Sequence, residues 1–533
     1  MSQRDPLQSV AAEDSHWTRV NVGEALPGVA TPLGWSIWGV VGDRMCRNVS
    51  FAMGVFDRSE SGDPTRIEDR IMSVFYGRIA LRMEWVAVVG DRMPGTSGAE
   101  AIAGMLGAAP ETMLFGASRR RYPVIAAKLP LAMVTAPRRV RAMAAEVDAW
   151  WQSQIRVLPT ASREEAVAAL RDAVDQFCRT MTTHGIGLFT AVNPLLTAVK
   201  ALVEKTGVGD VGVLSGTGGA EMAMIEDIWR ASRGEIDIDQ IVARHGYHGP
   251  LEGEISSLVW REDPTPLNAL IGHYRALDES ESPVRRDAEA ARRLPLMQQA
   301  VVAALPAFQR PAARALLKLA ARTIPLRGVG KVSFLQALDV ARAAVRRVGQ
   351  HLVADGLLGS ADDVCYLTLD EICDGIPSPA GELIAFRRAR RDEYRALALP
   401  LYWRGMPEPL PLGAASLAVG DLVSGIGASS GVVQGIARVV TDPSFADVEP
   451  GEILVAQSTD PSWASIMYVS AGLVVDVGSM ISHAAVVARE LGLPCVVNVG
   501  TGTRALRDGD VIRVDGDKGT VELLARPRLV AEV

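Results

Sequence analysis

Two spacings of apolar residues divide this chain. From about Trp17 to Leu399, apolar positions recur every three or four residues with charges between them, the mark of amphipathic helices. "REEAVAALRDAVDQFCRTMTTH" and "PAARALLKLAARTIPL" show it plainly. "SFLQALDVARAAVRRVGQHLVADGLLG" does too, and its ends suggest Ser333 as cap and Gly356 as stop. Then comes "LPLYWRGMPEPLPLG", where Pro400, Pro407, Pro409 and Pro411 favour an extended, stiff connection. Beyond it the rhythm changes to short β-branched runs broken by Gly, Asp and Pro: "EILVAQS", "GLVVDVG", "PCVVNVG", "VIRVDG" and "GTVELL". One helix is predicted among them, from about His483 to Leu491. The expected fold is therefore multidomain, a large, mainly α-helical domain followed by a small α/β domain. The boundaries read as an extended or disordered N-terminus over 1–16, the helical domain over 17–399, a Pro-rich hinge linker over 400–414 and the α/β domain over 415–533.

Composition narrows the classes. A net charge of −7 over 533 residues argues against a general nucleic-acid binder, which needs a basic footprint. The start, "MSQRDPLQSVAAEDSHW", lacks the pattern of a secretory signal, and no run reaches the ~18 uninterrupted apolar residues of a membrane span. The five cysteines are scattered and never spaced C-x-x-C, so reduced thiols in a cytoplasmic protein are expected, with no metal site.

The chain has seven histidines, and one of them, His483, opens the predicted helix of the α/β domain. Ser482 is a good N-cap, which places His483 in the first turn, where unpaired N–H groups and the helix dipole favour an anion. Gly478 allows close backbone approach and Ala484 and Ala485 leave room. Imidazole is also a competent nucleophile near neutral pH. A second cluster, "RHGYHGPLEGE", gathers His245, Tyr247, His248, Glu252 and Glu254 in a Gly-rich stretch. Such groups can supply a general base for a hydroxyl and partners for a phosphoryl group, or can simply be a structural loop. Arg78 and Arg82 are weaker candidates for gripping phosphate, each more simply read as solvated or salt-bridged.

"GVVQGIARVV", "GEILVAQSTDPSWASIMYVSAGLVVDVGSMISHAAVVARELGLPCVVNVG" and "LRDGDVIRVDGDKGTVELL" together resemble the swivelling phosphohistidine domain of the phosphoenolpyruvate-utilising enzymes. That family includes phosphoenolpyruvate synthase, pyruvate phosphate dikinase, rifampin phosphotransferase and the phenylphosphate synthases. The resemblance implies that His483 carries the phosphoryl group and that Thr459 and Asp460 line its pocket. Ser479 replaces the usual second glycine of the turn, and Ile481 stands where the plant dikinases have a regulatory threonine. "HWTRVNVGEALPGVATPLGWSIW", "RHGYHGPLEGEISSLVWREDP" and "ADDVCYLTLDEI" resemble parts of the family's substrate-binding domain, with Tyr247 and His248 at a usual His-Arg pair.

No ATP-grasp domain, pyruvate barrel or P-loop is recognisable; "LSGTGGAEM" is glycine-rich but lacks the lysine. The expectation is thus the phosphotransferase subunit of a split ATP-dependent dikinase. A separate ATP-grasp subunit would bind Mg-ATP and pass the β-phosphoryl to His483, with AMP and phosphate released. The α/β domain would then swivel and deliver it to a hydroxyl of a small organic acceptor: an alcohol, a phenol or a natural product. The alternatives are a regulatory phosphohistidine carrier and a scaffold without a small-molecule acceptor.

Overall fold

The computed structural model describes residues 4–64, 69–106, 109–208, 220–411, 417–440, 448–459, 463–478 and 482–527. The helices, in chain order, are α1 Val22–Ala25, α2 Pro32–Met53, α3 Met83–Arg92, α4 Gly98–Leu106, α5 Tyr122–Val157, α6 Arg163–Gly187, α7 Asn193–Thr206, α8 Ala220–Ser232 and α9 Ile238–His245. They continue with α10 Thr265–Ala276, α11 Pro283–Ala303, α12 Arg310–Thr323, α13 Leu326–Ala354, α14 Leu369–Asp374, α15 Ala380–Arg395, α16 Ala464–Val469, α17 His483–Leu491 and α18 Gly502–Ala505. Contacts divide the chain into two units. The first holds 1–194, 252–257 and 323–412; the second holds 195–251, 258–322 and 413–533.

The first unit is built on α2, α5, α6 and α13, which pack on one another. The helix α6 begins at a complete capping box, Ser162 with Glu165, and buries Ala166, Leu170, Ala173 and Phe177 at helical spacing. By length and composition the helical run Arg163–Thr206 would pass for a membrane span. Its α6 portion is instead a core helix, lying against α2, α5 and α13. The helix α13 starts earlier than its sequence suggests. Ser333 lies inside it rather than capping it, and its hydroxyl donates to the Val329 carbonyl at 3.1 Å. Gly328 and Gly330 look like breakers in the sequence, but Gly330 is where His184 crosses the helix. A Cβ there would lie 2.3 Å from His184 Nδ1. The stop is where expected: Gly356 takes φ 71° and donates back to the Val353 carbonyl.

A small antiparallel sheet completes this unit. Its strands are β1 His16–Thr18, β2 Met72–Phe75, β3 Arg78–Arg82 and β5 Tyr402–Arg404, in the order β2-β3-β1-β5. The two-residue strands β4 Leu397–Ala398 and β6 Leu410–Pro411 pair beside it. The described part of the 400–414 segment, residues 400–411, is not a bare linker: β5 is hydrogen-bonded to β1 from His16 to Thr18. The N-terminal arm is also anchored. Leu7 is buried, the Ser9 N–H donates to the Val74 carbonyl, and the Leu7 carbonyl accepts from the Gly77 N–H.

The second unit contains the α/β domain. Its strands are β7 Leu422–Ser424, β8 Ile426–Ser429, β9 Val432–Val440, β10 Ile453–Ala456, β11 Gly472–Val475, β12 Cys495–Val497, β13 Val511–Asp515 and β14 Thr520–Ala525. They form one sheet in the order β7-β14-β13-β9-β10-β11-β12-β8. The central four, β9 to β12, run parallel. Strands β10, β11 and β12 are buried throughout, so they read as continuous apolar runs. Alternate residues feed two cores. Ile453, Val455, Val474 and Val496 pack with Ile512, Val514, Val521 and Leu523. Leu454, Ala456, Leu473, Val475 and Val497 face the other way, toward α16 and α17.

That second core does not end at the α/β domain. It continues into Ile225, Ile228 and Trp229 of α8, Ile241 of α9 and Leu267, Ile271 and Tyr274 of α10. Tyr274 and Tyr468 stack with ring centres 5.8 Å apart. Helices that the linear reading places with the N-terminal domain thus share a core with the C-terminal one. The helix α8 packs on α10, and α16 lies against α8.

Candidate phosphohistidine site

His483 sits where the sequence places it, at the first position of α17. Ser482 has extended backbone (φ −63°, ψ 162°), and its hydroxyl accepts from the Ala485 N–H at 3.2 Å. Such a cap stabilises a helix by about 1 kcal/mol. The helix ends at Gly492 in the left-handed conformation, φ 70°. These two caps hold a nine-residue helix too short to persist alone. The first-turn N–H groups have no acceptor within the helix, and the positive end of its dipole is set beside the imidazole.

Two loops converge on the ring. One follows β10 and carries Thr459; the other follows β11 and carries Gly478 and Ser482. Both leave the carboxyl ends of parallel strands, the usual place for a ligand in such sheets. Thr459 Oγ1 lies 3.2 Å from His483 Nδ1, and both residues are buried. With the proton on Nδ1 and donated to Thr459, the ring's lone pair is on Nε2. Gly478 is needed for space rather than for an unusual backbone angle: a Cβ would lie 3.2 Å from both Ser482 Oγ and Val497 Cβ. Asp460, Ser479 and Ile481 lie outside the described residues, as does most of "LSGTGGAEM".

The sequence reading missed Asp476, which directly follows β11, two residues before Gly478. It is buried, and its carboxylate accepts from the N–H groups of Gly502 and Thr503 and from the Thr503 hydroxyl. Burial raises its pKa above the ordinary carboxylate value, and the Thr503 and Gly502 hydrogen bonds offset only part of that. Asp476 thereby fixes the start of α18 beside the β11 loop. Nothing local in "VVDVG" signals this, because the partners are 26 and 27 residues away.

The five residues of the second cluster are shared between the units. His245, Tyr247 and His248 belong to the second, Glu252 and Glu254 to the first. His245 closes α9, and its Nε2 is 3.1 Å from Asp227 Oδ2 on α8. Burial, then the neighbouring His248, pushes His245 down to about 4, although the Asp227 bond pulls the other way. It is therefore neutral at pH 7. Burial opposes the charge of Asp227, but hydrogen bonds from Arg244 and His245 bring its pKa below the ordinary value. His248 is buried, with Tyr247 and Trp260 rings at 4.5 and 5.7 Å. A carboxylate-oriented neutral imidazole is the arrangement of a general base. Asp227 and Arg244 were not singled out by the sequence reading; the "RH" pair closing an amphipathic helix was the available sign.

Glu254 does a different job. Its carboxylate accepts from the Thr31 N–H at 3.1 Å, the Thr31 hydroxyl at 2.6 Å, and the Ser256 N–H and hydroxyl at 3.2 and 3.1 Å. Thr31 is the N-cap of α2, so this acid is fully engaged in holding a helix start. The Glu252 carbonyl accepts from Arg342 Nη2 at 2.9 Å. Arg78 is buried and donates to the carbonyls of Tyr76, Tyr394 and Leu397; burial lowers it to about 10. Arg82 pairs with Glu84. The five cysteines are free thiols.

A histidine at the N-terminus of a helix, beside a loop from the carboxyl edge of a parallel sheet, is an arrangement suited to binding an anion. Residues 448–519 match the model of the PEP-utilising enzyme mobile domain, and residues 225–328 match the rifampicin phosphotransferase fourth domain. These two stretches are thus similar to parts of the phosphoenolpyruvate-utilising enzymes. A rifampicin phosphotransferase of a Streptomyces species is 30% identical over 410 residues, covering 73% of this chain and 45% of that protein. An uncharacterized protein of Mycobacterium tuberculosis is 35% identical over 279 residues, 52% of this chain and 30% of that one. The prodigiosin synthesizing transferase PigC of Serratia marcescens is 28% identical over 334 residues, 61% and 36% of the two chains. The matches thus span less than half the length of each of these relatives.

Proposed function

We propose that the chain is a phosphotransferase in which His483 takes a phosphoryl group derived from ATP and passes it to a hydroxyl. The observation that carries this reading is the capped helix start with Thr459 on Nδ1 of His483. In the charging half, Nε2 attacks the β-phosphorus of ATP, a P–N bond forms and the α–β phosphoanhydride bond breaks, so AMP leaves. Water then cleaves the β–γ bond of the ring-bound pyrophosphoryl group, phosphate leaves, and the β-phosphoryl remains on the ring. In the second half, the acceptor oxygen attacks the same phosphorus, the P–N bond breaks, and the hydroxyl proton goes to a base. His245, oriented by Asp227, is our candidate for that base, with Tyr247 and His248 around it and Glu252 on the strand of chain that follows. Glu254 serves as a helix cap.

We further propose that Mg-ATP is held by a nucleotide-binding unit of the ATP-grasp type on a partner chain, and that the protein works in the cytoplasm. The acceptor class is a hydroxyl on an organic molecule. Support comes from two relatives, one named for phosphoryl transfer to rifampicin and one for the synthesis of prodigiosin. The test is ³¹P NMR of the chain with an ATP-grasp partner, Mg-ATP and a panel of alcohols, phenols and rifampicin. AMP, phosphate and a new phosphate ester in equal amounts support the reading. ADP as the nucleotide product would sink it.

A further inference from the structure

The helices α11 and α12 leave a cleft of about 760 Å³ between them, lined by none of the residues assigned to the site above. Leu294, Val302, Leu317 and Ala321 give it an apolar floor. Arg310, Arg314, Lys318 and Arg322 of α12 line it as well, and no acidic side chain does among the described residues. These four cations are spaced four residues apart. At 1.5 Å per residue they form a ladder with rungs about 6 Å apart and a length of about 18 Å. Arg310 is partly committed, since its guanidinium donates to the Ala303 and Leu305 carbonyls at the end of α11. Arg314, Lys318 and Arg322 are exposed.

A basic ladder is out of keeping with a chain of net charge −7, and its period selects the occupant. Carboxylates four residues apart on another helix repeat at the same ~6 Å step. The cleft is concave, which suits a rod and not a flat bilayer. The neighbourhood has further marks of an interface. Leu296, next in the chain to the lining Pro295, is 66% exposed, and Phe308, in the turn joining the two helices, is 80% exposed. We infer that the α11–α12 cleft docks an acidic amphipathic helix of a partner protein, its carboxylates on Arg314, Lys318 and Arg322 and its apolar stripe on the cleft floor.

The probe is a fluorescein-labelled synthetic helix with Glu at every fourth position and a Leu/Ala stripe, titrated with the full chain by fluorescence anisotropy. A scrambled peptide of the same composition serves as control. We expect saturable binding of the patterned helix and at least tenfold weaker binding of the scrambled one. Arg314→Glu with Lys318→Glu should weaken binding at least tenfold, and so should added salt, because the contacts are screened at the surface. Should that pair unfold the chain, Arg314→Gln with Lys318→Gln replaces it, with a several-fold loss expected. Equal binding of both peptides, or no effect of the substitutions, overturns the proposal. Two other results also overturn it: sedimentation of the chain with phosphatidylserine vesicles but no peptide binding assigns the cleft to membranes. A dimer that the same substitutions dissociate assigns it to a second copy. None of these readouts involves His483, so the phosphotransfer reading stands or falls separately.

Discussion

At the scale of the residue, the account rests on how individual groups are held. Thr459 fixes His483 through Nδ1. Thr459→Val should lower the rate of His483 phosphorylation about tenfold, the worth of one hydrogen bond of about 1.4 kcal/mol, while leaving the fold intact. Single-turnover labelling measures it. His245 gives a pH test. Its folded-state pKa of about 4 lies below the ordinary 6.5, so the native state resists taking up that proton. Between those values the unfolded chain binds more protons, and stability rises with pH. The contribution is complete above 6.5 and lost as pH falls through 4. Urea unfolding from pH 7 to 4 should show the loss, and His245→Asn should reduce it; the rest belongs in part to His184, which burial pushes down to about 3. In catalysis, Asp227→Asn should cut acceptor phosphorylation by about 10² or more without slowing His483 labelling. An equal loss in both half-reactions would contradict the assignment of the dyad.

At the scale of the element, legibility followed locality. The helix α17 was readable to the residue, because the apolar spacing lies within it and Ser482 and Gly492 directly flank it. Strands β10 to β14 were readable because their runs are short, β-branched and fenced by Gly and Asp. The start of α13 was not, since the reason for Gly330 is His184 on another helix. Glu254 looked like chemistry for the same reason: the helix it caps begins 223 residues earlier. Gly330→Ala should therefore destabilise the first unit by about 1–3 kcal/mol, as overpacking does. Ser482→Ala should cost about 1 kcal/mol and slow labelling, because it loosens the turn that presents His483. Denaturant titration of each variant checks both values.

At the scale of the whole molecule, the linear order of domains hides a division that contacts reveal. A helical segment of the first 399 residues shares one continuous core with the α/β domain, with the stacked Tyr274–Tyr468 pair inside it. Hydrophobic patterning says which face of α8 or α10 is buried, but not against what, so the grouping was not legible in the sequence. The consequence is testable. Tyr468→Ala removes a buried ring from that shared core and should loosen the α/β domain from α8 and α10. Hydrogen exchange should then speed in those helices, while β10 to β12, which keep their second core, stay protected. Uniform acceleration across the sheet would show that the two parts do not separate.

The central claim is that His483 carries a phosphoryl group. Its most direct test is to incubate the chain with β-phosphate-labelled ATP and an ATP-grasp partner, and to measure acid-labile label on wild type and His483→Ala. The account predicts label that survives base, is lost in acid and vanishes in the variant. Label that persists in His483→Ala, or none on wild type with a partner that consumes ATP, would contradict it.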